Sequence, residues 1–351
     1  MKLFDIRRIS VRNKLLLALA TMAVTLPSCE KIWEGEGDCS RNYKVAFTFT
    51  RNMVGSDAFV ESVNSVSLFV FDTDGNLVTS KAAFCDSLAN DGYALTLDNV
   101  EPGTYDLVVW GGLLDGDAFQ LAGGDNPLTK DDIVCRLNRQ YDNDGNAYSN
   151  RQLNSLFHGM ADSVVFPDAH GTMKVATIDL MKNTNTLRVA IHQKNGRPLE
   201  ADRFSFRLAD NNGLMNYDNQ LLDDEFITFG EWTIKEDVLE NPENSRAGNY
   251  ATDGTITAVI AELSLPRLMS SHDPVLLVEY EGRIEPVVNL HLMQLLELAK
   301  GEDRKSMQFQ DYLDREDDYT MFFNVDDDNS WYMPAGIFIN GWKVVFQESN
   351  M

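Results

Sequence analysis

Alternation of apolar and polar positions begins at Tyr43 and sets the character of the chain from there. In Tyr43–Thr50, Tyr43, Val45, Phe47 and Phe49 share one parity, the period-two signature of a strand with one buried face. Val63–Phe71 reads as a second strand, and Asp72-Thr73-Asp74-Gly75-Asn76 supplies the turn that returns the chain at Leu77-Val78, with a glycine free to take positive φ. Tyr93–Leu97 and Gly103–Trp110 follow, joined through Glu101-Pro102-Gly103. Residues 111–160 read as loop-rich, with a further turn at Asp142-Asn143-Asp144-Gly145-Asn146. The alternation restarts near Met173. Lys174–Leu180 and Thr186–Ile191 read as strands joined by a polar Lys182-Asn183-Thr184-Asn185 turn, and Phe204–Leu208 comes next. A polar excursion over 235–253 precedes strands at Ile256–Leu263 and Val275–Tyr280. Leucines at 290, 292, 295, 296 and 298 have helical spacing over Leu290–Ala299. Thr320–Val325 and Gly336–Phe346 close the pattern. Short strands at this spacing, punctuated by Gly and Pro, predict an all-β chain of two tandem β-sandwich domains with minor helical insertions. The expected division places one sandwich at 39–172 and the other at 173–351.

The first 28 residues break from this pattern. Lys2, Arg7, Arg8, Arg12 and Lys14 precede the apolar core Leu15–Val24, and Leu26-Pro27-Ser28-Cys29 follows. A basic stretch, a short apolar run and small residues before a cut describe a secretory signal. The run is shorter than the roughly 20 residues that span a bilayer. A Cys at its end has the form of a lipobox, with Pro27 departing from the commonest pattern. The reading is a signal peptide at 1–28, a diacylglycerol on Cys29 as the new N-terminus, and an acidic tether over 29–38. The contrasting reading is an ordinary signal peptide with a chance Cys beside it.

Charge narrows the partners. The chain carries 30 basic and 54 acidic residues, a formal net charge of −24; without residues 1–28 the balance is 25 against 53, or −28. Nucleic-acid binding needs clustered cations to displace counterions, and anionic lipid attracts polybasic segments. Neither class of partner fits, so membrane attachment would rest on acyl chains. Beyond Cys29, Cys39, Cys85 and Cys135 form an odd set, and export makes a single disulfide chemically accessible. Cys39 with Cys135 is the preferred pair, because both flank candidate strands. Cys85 stands as an alternative partner, and three buried reduced thiols as a further alternative.

Candidate chemistry is sparse. His158, His170, His192, His272 and His291 are scattered without metal-type spacing. No nucleophile elbow, phosphate loop or dinucleotide fingerprint is present, so no catalytic residue, cofactor or small-molecule substrate is expected. The two Asp-x-Asp-Gly-Asn turns resemble the opening of a calcium loop but lack its later ligands. Trp110, Trp232, Trp331 and Trp342 could stack on sugar, although core packing is the usual fate of aromatics in a sandwich.

Several stretches, taken in order, resemble the FimB/Mfa-type fimbrial anchor lipoproteins of Bacteroidetes. They are Asp38-Cys39-Ser40, Leu68–Gly75, Pro102–Tyr105 running on to Trp110-Gly111-Gly112-Leu113, Cys135–Arg139 and Leu156-Phe157-His158-Gly159-Met160. In the second half Lys182–Asn185, Asp210–Met215, Tyr312–Tyr319 and Ile339–Val345 continue the series. The resemblance implies transthyretin-like sandwiches, no enzymatic activity, and a lipoprotein of the outer membrane that holds a fimbrial shaft subunit by strand complementation. The acidic residues after Cys29 are similar to signals for surface export in that phylum. Shaft relatives lose an N-terminal strand to proteolysis after a basic residue. An anchor tethered at Cys29 would instead keep Tyr43–Thr50 as a core strand. The expected partner-facing element is the terminal strand, with Gly336, Ile337, Phe338, Ile339, Trp342, Val344 and Phe346 as candidate interface residues. Alternatives are a surface glycan-binding lipoprotein with exposed Trp as its platform, and a tip adhesin of the same superfamily. Cys29→Ser is expected to abolish incorporation of alkyne-tagged palmitate, read by in-gel fluorescence; label retained on the variant would refute lipidation at this residue.

Overall fold

The computed structural model describes residues 42–123, 127–168, 173–240, 255–300, 304–326, 337–339 and 342–344. Cys29, the tether at 29–38, Cys39, Gly336 and Phe346 lie outside these residues.

The first sheet is assembled from β1 (Asn42–Arg51), β2 (Ser65–Phe71), β3 (Leu77–Phe84), β4 (Ala94–Leu97) and β5 (Gly103–Gly111). The short strands β6 (Phe119–Leu121), β7 (Cys135–Leu137), β8 (Gln140–Tyr141) and β9 (Ala147–Ser149) follow, and then β10 (Phe157–Phe166) and β11 (Met173–Lys182) complete it. Its order is β3-β2-β5-β10-β11-β1-β4. The ladder between β10 and β11 holds only at Phe157↔Lys182 and His158↔Met181, so the sheet divides there into a four-stranded and a three-stranded layer. Between the layers lie Tyr43, Val45, Phe47 and Phe49 of β1, Val66, Leu68 and Val70 of β2, and Leu107 and Val109 of β5. At the far side Lys81 of β3 donates to the Thr96 carbonyl of β4 (2.8 Å) and pairs with Asp98 (2.9 Å). β1 therefore is the core strand its alternation predicts, paired in parallel with β11 and antiparallel with β4. The short helix α1 (Phe59–Ser62) stacks Phe59 on Phe47.

The second half contributes β12 (Thr184–Gln193), β13 (Phe204–Asp210), β14 (Leu214–Met215), β15 (Ile227–Gly230), β16 (Thr233–Glu240), β17 (Thr255–Pro266) and β18 (Val275–Tyr280). After them come β19 (Val288–His291), helices α2 (Leu292–Ala299) and α3 (Phe309–Leu313), β20 (Asp318–Val325), β21 (Ile337–Ile339) and β22 (Trp342–Val344). Two six-stranded sheets result, β16-β17-β12-β20-β21-β22 and β19-β18-β13-β15-β9-β8, with a three-stranded sheet β14-β7-β6 beside them. Val189, Val259, Met321 and Phe323 from one six-stranded sheet meet Phe206, Leu208, Phe229 and Val278 from the other in a single apolar cluster. Phe69, Phe71, Val108 and Trp110 join that same cluster from the outer face of β2 and β5. This explains why β2 is buried at every position: strands covered on both faces read as continuous apolar runs.

Several expectations need correcting. The division at 172 and 173 does not follow the sheets, because β11 belongs to the first sheet while β8 and β9 pair into the second half through β15. The chain changes sheet at Asn183 instead. Lys182–Asn185 is therefore no hairpin turn; β11 and β12 flank a single residue and lie in different sheets. Within the polar excursion, Thr233–Glu240 is the end strand of its sheet among the described residues, paired with β17, with Ile234 packed on the main core and Leu239 on a small apolar cluster on the other face. The helix begins at Leu292, since Leu290 is taken up in β19 opposite Leu276.

Gly112 fastens the loop after β5. It has φ +89°, and a Cβ there would sit 1.9 Å from the Ser155 carbonyl oxygen. Gly75 shares the positive φ, +82°, yet has open space around it. Gly75→Ala should cost about 1 kcal/mol for the left-handed conformation alone. Gly112→Ala should cost about 3 kcal/mol or more, because backbone must also move. Urea denaturation of the two variants checks the difference; equal losses would contradict the close approach.

Candidate functional site

The stretches that carry the family resemblance are far apart in sequence, and the fold brings several of them to one place. At the change of sheet, Asn183 is fully buried and donates its backbone N–H to the Leu156 carbonyl (2.7 Å). Its side-chain amide exchanges hydrogen bonds with that of Asn219, at 2.6 and 3.1 Å. Asn219 ends a tight turn closed by its own N–H to the Asn216 carbonyl, at φ +67°, a conformation that asparagine tolerates better than most residues.

That turn reaches three other segments. The Tyr217 carbonyl lies 2.7 Å from His158 Nε2; a carbonyl only accepts, so the proton sits on Nε2. The Asn219 carbonyl accepts from Arg267 Nη1 at 2.5 Å. Arg267 in turn donates from Nε and Nη2 to both carboxylate oxygens of Asp314, each at 3.0 Å. Asn212 donates to the Arg267 carbonyl and Asn185 to the Pro266 carbonyl, both at 3.0 Å. Leu156–Met160, Lys182–Asn185, Asp210–Met215 and Tyr312–Tyr319 thus meet in one buried polar junction between the sheets. Gly159 lets β10 cross β11 here, since a Cβ would come within 2.7 Å of Ile178 and Leu180. The junction is built for position rather than reaction. Its one histidine is buried, and its carboxylate is occupied by arginine.

The remaining expected site residues are dispersed. Ile337, Phe338, Ile339, Trp342 and Val344 lie on β21 and β22. They form a hairpin, not the single strand expected over Gly336–Phe346. Ile339 pairs with Trp342, which leaves only Asn340-Gly341 between the strands. Asn-Gly is the strongest two-residue hairpin signal, and it was present in the sequence all along. β21 pairs with β20, and β22 is the outermost strand of that sheet among the described residues. Cys135 is a buried free thiol in β7, and Cys85, the alternative partner for Cys39, is a buried free thiol after β3. Burial pushes the Cys85 thiol up to about 11 and raises that of Cys135 further. The preferred partner of Cys135, Cys39, lies outside the described residues.

The two Asp-Gly turns are occupied by their own hydrogen bonds. Asp72 Oδ1 accepts the N–H groups of Asn76 (2.8 Å) and Asp74 (3.0 Å), and Asp142 Oδ1 accepts those of Asn146 and Asp144 at 2.9 Å. Hydrogen bonds from Asn76 and Asn146 hold the two carboxyls below the usual range. These aspartates organise the turns that the sequence requires there. Among the described residues no group of three His, Cys, Asp or Glu side chains is placed to hold a metal ion. Trp110 is wholly buried in the core against His158, with ring centroids 4.7 Å apart, so it is no sugar platform; Trp232 is half-buried.

Comparison with known proteins decides what this arrangement belongs to. The family model of the fimbrillin-A associated anchor proteins Mfa1 and Mfa2 matches residues 36–348. The chain belongs to that family. A Bacteroides thetaiotaomicron protein described as a proposed adhesin is 27% identical, with a TM-score of 0.71 over 88% of this chain and 98% of its own. A second B. thetaiotaomicron structure, described as a proposed polysaccharide-binding protein, is 24% identical with a TM-score of 0.71, covering 89% of this chain and 100% of its own. The fimbrial anchor protein Mfa2 of Porphyromonas gingivalis shares 17% identity, with a TM-score of 0.62 over 88% of this chain and 100% of its own. The last two likenesses show the shared fold. No curated protein matches the chain. The anchor family is one of fimbrial and adhesin-like proteins, which implies association with fimbrial subunits at the cell surface.

The junction has a pH signature. Burial pushes the His158 imidazole down to about 4, helped by the nearby Arg267. An unfolded chain binds this proton near the ordinary histidine value. The stability that neutral His158 contributes is therefore complete above about pH 6.5 and is lost as pH falls toward 4, roughly 3 kcal/mol in all. His158→Gln keeps a donor toward Tyr217 but cannot titrate. Its urea-denaturation stability should fall less steeply between pH 6.5 and 4; parallel profiles would refute this role.

Proposed function

We propose that this protein is an outer-membrane lipoprotein that anchors fimbriae to the cell surface, held by lipid on Cys29 and joined to a shaft subunit by β-strand complementation. The observation that carries the reading is the family match, which starts seven residues after Cys29 and runs to residue 348, across both halves and the terminal hairpin. The candidate lipid residue precedes the matched region in sequence, and the candidate partner-facing strands lie near its end.

The setting of β1 supports retention of the tether. A cut after Arg51 would remove β1, and with it Tyr43, Val45, Phe47 and Phe49, all buried between the layers. Loss of four such side chains costs several kcal/mol of transfer free energy. An intact β1 keeps Cys29 covalently continuous with the body. Strand complementation suits an edge such as β22, because an added strand completes backbone hydrogen bonds while its side chains fill pockets. The tip-adhesin reading draws support from the description of the 27% identical relative. It differs in where the protein sits on the fimbrium, so it requires release from the membrane.

Intact-mass measurement on membrane-purified protein should find a chain that begins at acylated Cys29. Cells carrying Cys29→Ala should shed assembled fimbriae into the medium, measured by immunoblot of the cell-free fraction. A mature species that starts after Arg41 or Arg51, with fimbriae retained on Cys29→Ala cells, would overturn the anchor reading.

A further inference from the structure

We propose that the groove between β3 and β6 is an acceptor site for an extended strand of a fimbrial subunit, a reading that rests on the anchoring function proposed above and gives it an address on this chain.

The argument begins with hydrogen-bond direction. β6 pairs antiparallel with β7 through Phe119↔Leu137, Gln120↔Arg136 and Leu121↔Cys135. The Asn138 N–H donates to the Ala118 carbonyl and the Ala122 N–H to the Val134 carbonyl, at 2.8 and 2.7 Å. The Leu137 N–H points the other way, to Gly213 beside β14. Bonded and non-bonded pairs alternate along an antiparallel ladder. Ala118, Gln120 and Ala122 therefore face β7, and the N–H and C=O groups of Phe119 and Leu121 face away from it. β6 ends its sheet among the described residues, so these groups form its outward edge, accessible at the partly exposed Leu121 and largely covered at Phe119, which is 3% exposed.

A groove of about 540 Å3 lies along that edge. Its floor is the outer face of β2 and β3, where the small side chains of Ser67, Ser80 and Ala82 leave room. Leu113 and Leu114 belong to its lining, held by the loop that Gly112 fastens. Apolar side chains are exposed on this same side: Val78 and Phe84 on β3 and Leu114 in the wall are 42%, 55% and 43% exposed. Val78, Ser80, Ala82 and Phe84 fall on one parity of β3, the solvent side of its alternation.

Charge specifies the occupant. In a chain of net charge −24, the only ionic side chain among the lining residues is Lys81, and its ammonium is engaged by Thr96 and Asp98. An edge with outward ladder groups, a trough of small residues and apolar walls matches an uncharged extended segment with alternate apolar side chains. The segment would pair with Phe119 and Leu121 as a fourth strand of the β14-β7-β6 sheet and place its apolar side chains against Leu114 and over Ala82. A free sheet edge is otherwise a liability that proteins blunt with charge or proline, and β6 carries neither.

The test places photoreactive benzoylphenylalanine in the full chain on fimbriated cells, at Ala82 or Leu114 in the groove, at Lys343 in the terminal hairpin and at Val238 on β16 as a control. The expected result is a crosslink from 82 and 114, absent at 238, to an extended segment of a fimbrial structural subunit identified by mass spectrometry. Ala82→Arg, at an exposed position, should cut the fimbriae retained on cells at least tenfold with protein abundance and circular dichroism unchanged. Leu121→Pro, which removes one outward N–H and no bond to β7, should act in the same direction. A crosslink to the subunit from 343 alone, with both variants retaining fimbriae, would refute the groove and leave anchoring intact. No crosslink to a fimbrial subunit from any position, with fimbriae retained on cells that lack the protein, would refute both.

Discussion

Asn183 is the point on which the architecture turns. The chain leaves one sheet and enters another there without a loop, and the residue that makes the step is completely buried. A buried amide must find partners for its donors and acceptors or lose a large part of its hydration energy. Asn183 finds them in Leu156 and Asn219, which fixes the 216–219 turn, and that turn in turn fixes His158 and Arg267. Arg267 could not be buried without Asp314 opposite it, since an unpaired buried charge is strongly destabilising. Each polar group is tolerated because the next one is present. The result is a chain of dependence that holds β10, β12, β17 and α3 in one geometry.

The apolar cluster explains why such a junction is needed. Phe69, Phe71, Val108 and Trp110 are shared with the core of the second half, so the halves adhere over apolar surface, which has no intrinsic register. Hydrophobic contact is non-directional. The hydrogen bonds around Asn183 supply the direction and select one orientation from the many that would bury a similar area.

Much of the β architecture was legible in the sequence because its signal is periodic. Tyr43–Thr50 and Phe204–Leu208 alternate cleanly and form half-buried strands with the expected parity. The errors share a physical origin. Lys182-Asn183-Thr184-Asn185 is polar, and polarity between two strands ordinarily marks a solvated turn; here the same residues are buried and satisfied by distant partners that no local pattern reveals. Thr233–Glu240 looked like an excursion because an edge strand needs little apolar content. β8 and β9 are too short to carry a period, and their membership in the second half is settled by β15, roughly 80 residues away in sequence. The terminal hairpin is the one feature that local chemistry could have exposed, through Asn340-Gly341. The resemblance stretches, in contrast, were visible individually while their meeting place was not. Four of them, Leu156–Met160, Lys182–Asn185, Asp210–Met215 and Tyr312–Tyr319, share a position in the junction, which emerges only in three dimensions.

The topology also bears on how such a body transmits load. A pull applied at Asn42 would enter the sheet through β1. β1 is bonded on one side to β11 in parallel and on the other to β4 antiparallel, so the ladder bonds on both sides resist together rather than opening one after another. β11 passes the load through Lys182 and Asn183 into β12, the strand that lies between β17 and β20. β12 again is held on both sides, in parallel to β20 over eight consecutive pairs from Thr186↔Asp318 to Gln193↔Val325. The route therefore crosses from β1 to β11 through ladder hydrogen bonds and from β11 to β12 through the chain itself, with the buried Asn183 as the one residue between those two strands. An exposed linker at that position would stretch and let the halves rotate before either sheet bore force. A buried, reciprocally bonded residue does not give, because moving it would leave the Asn219 amide and the Leu156 carbonyl unpaired inside the core. Burying this polar link with its partners in place opposes a hinge between the two halves.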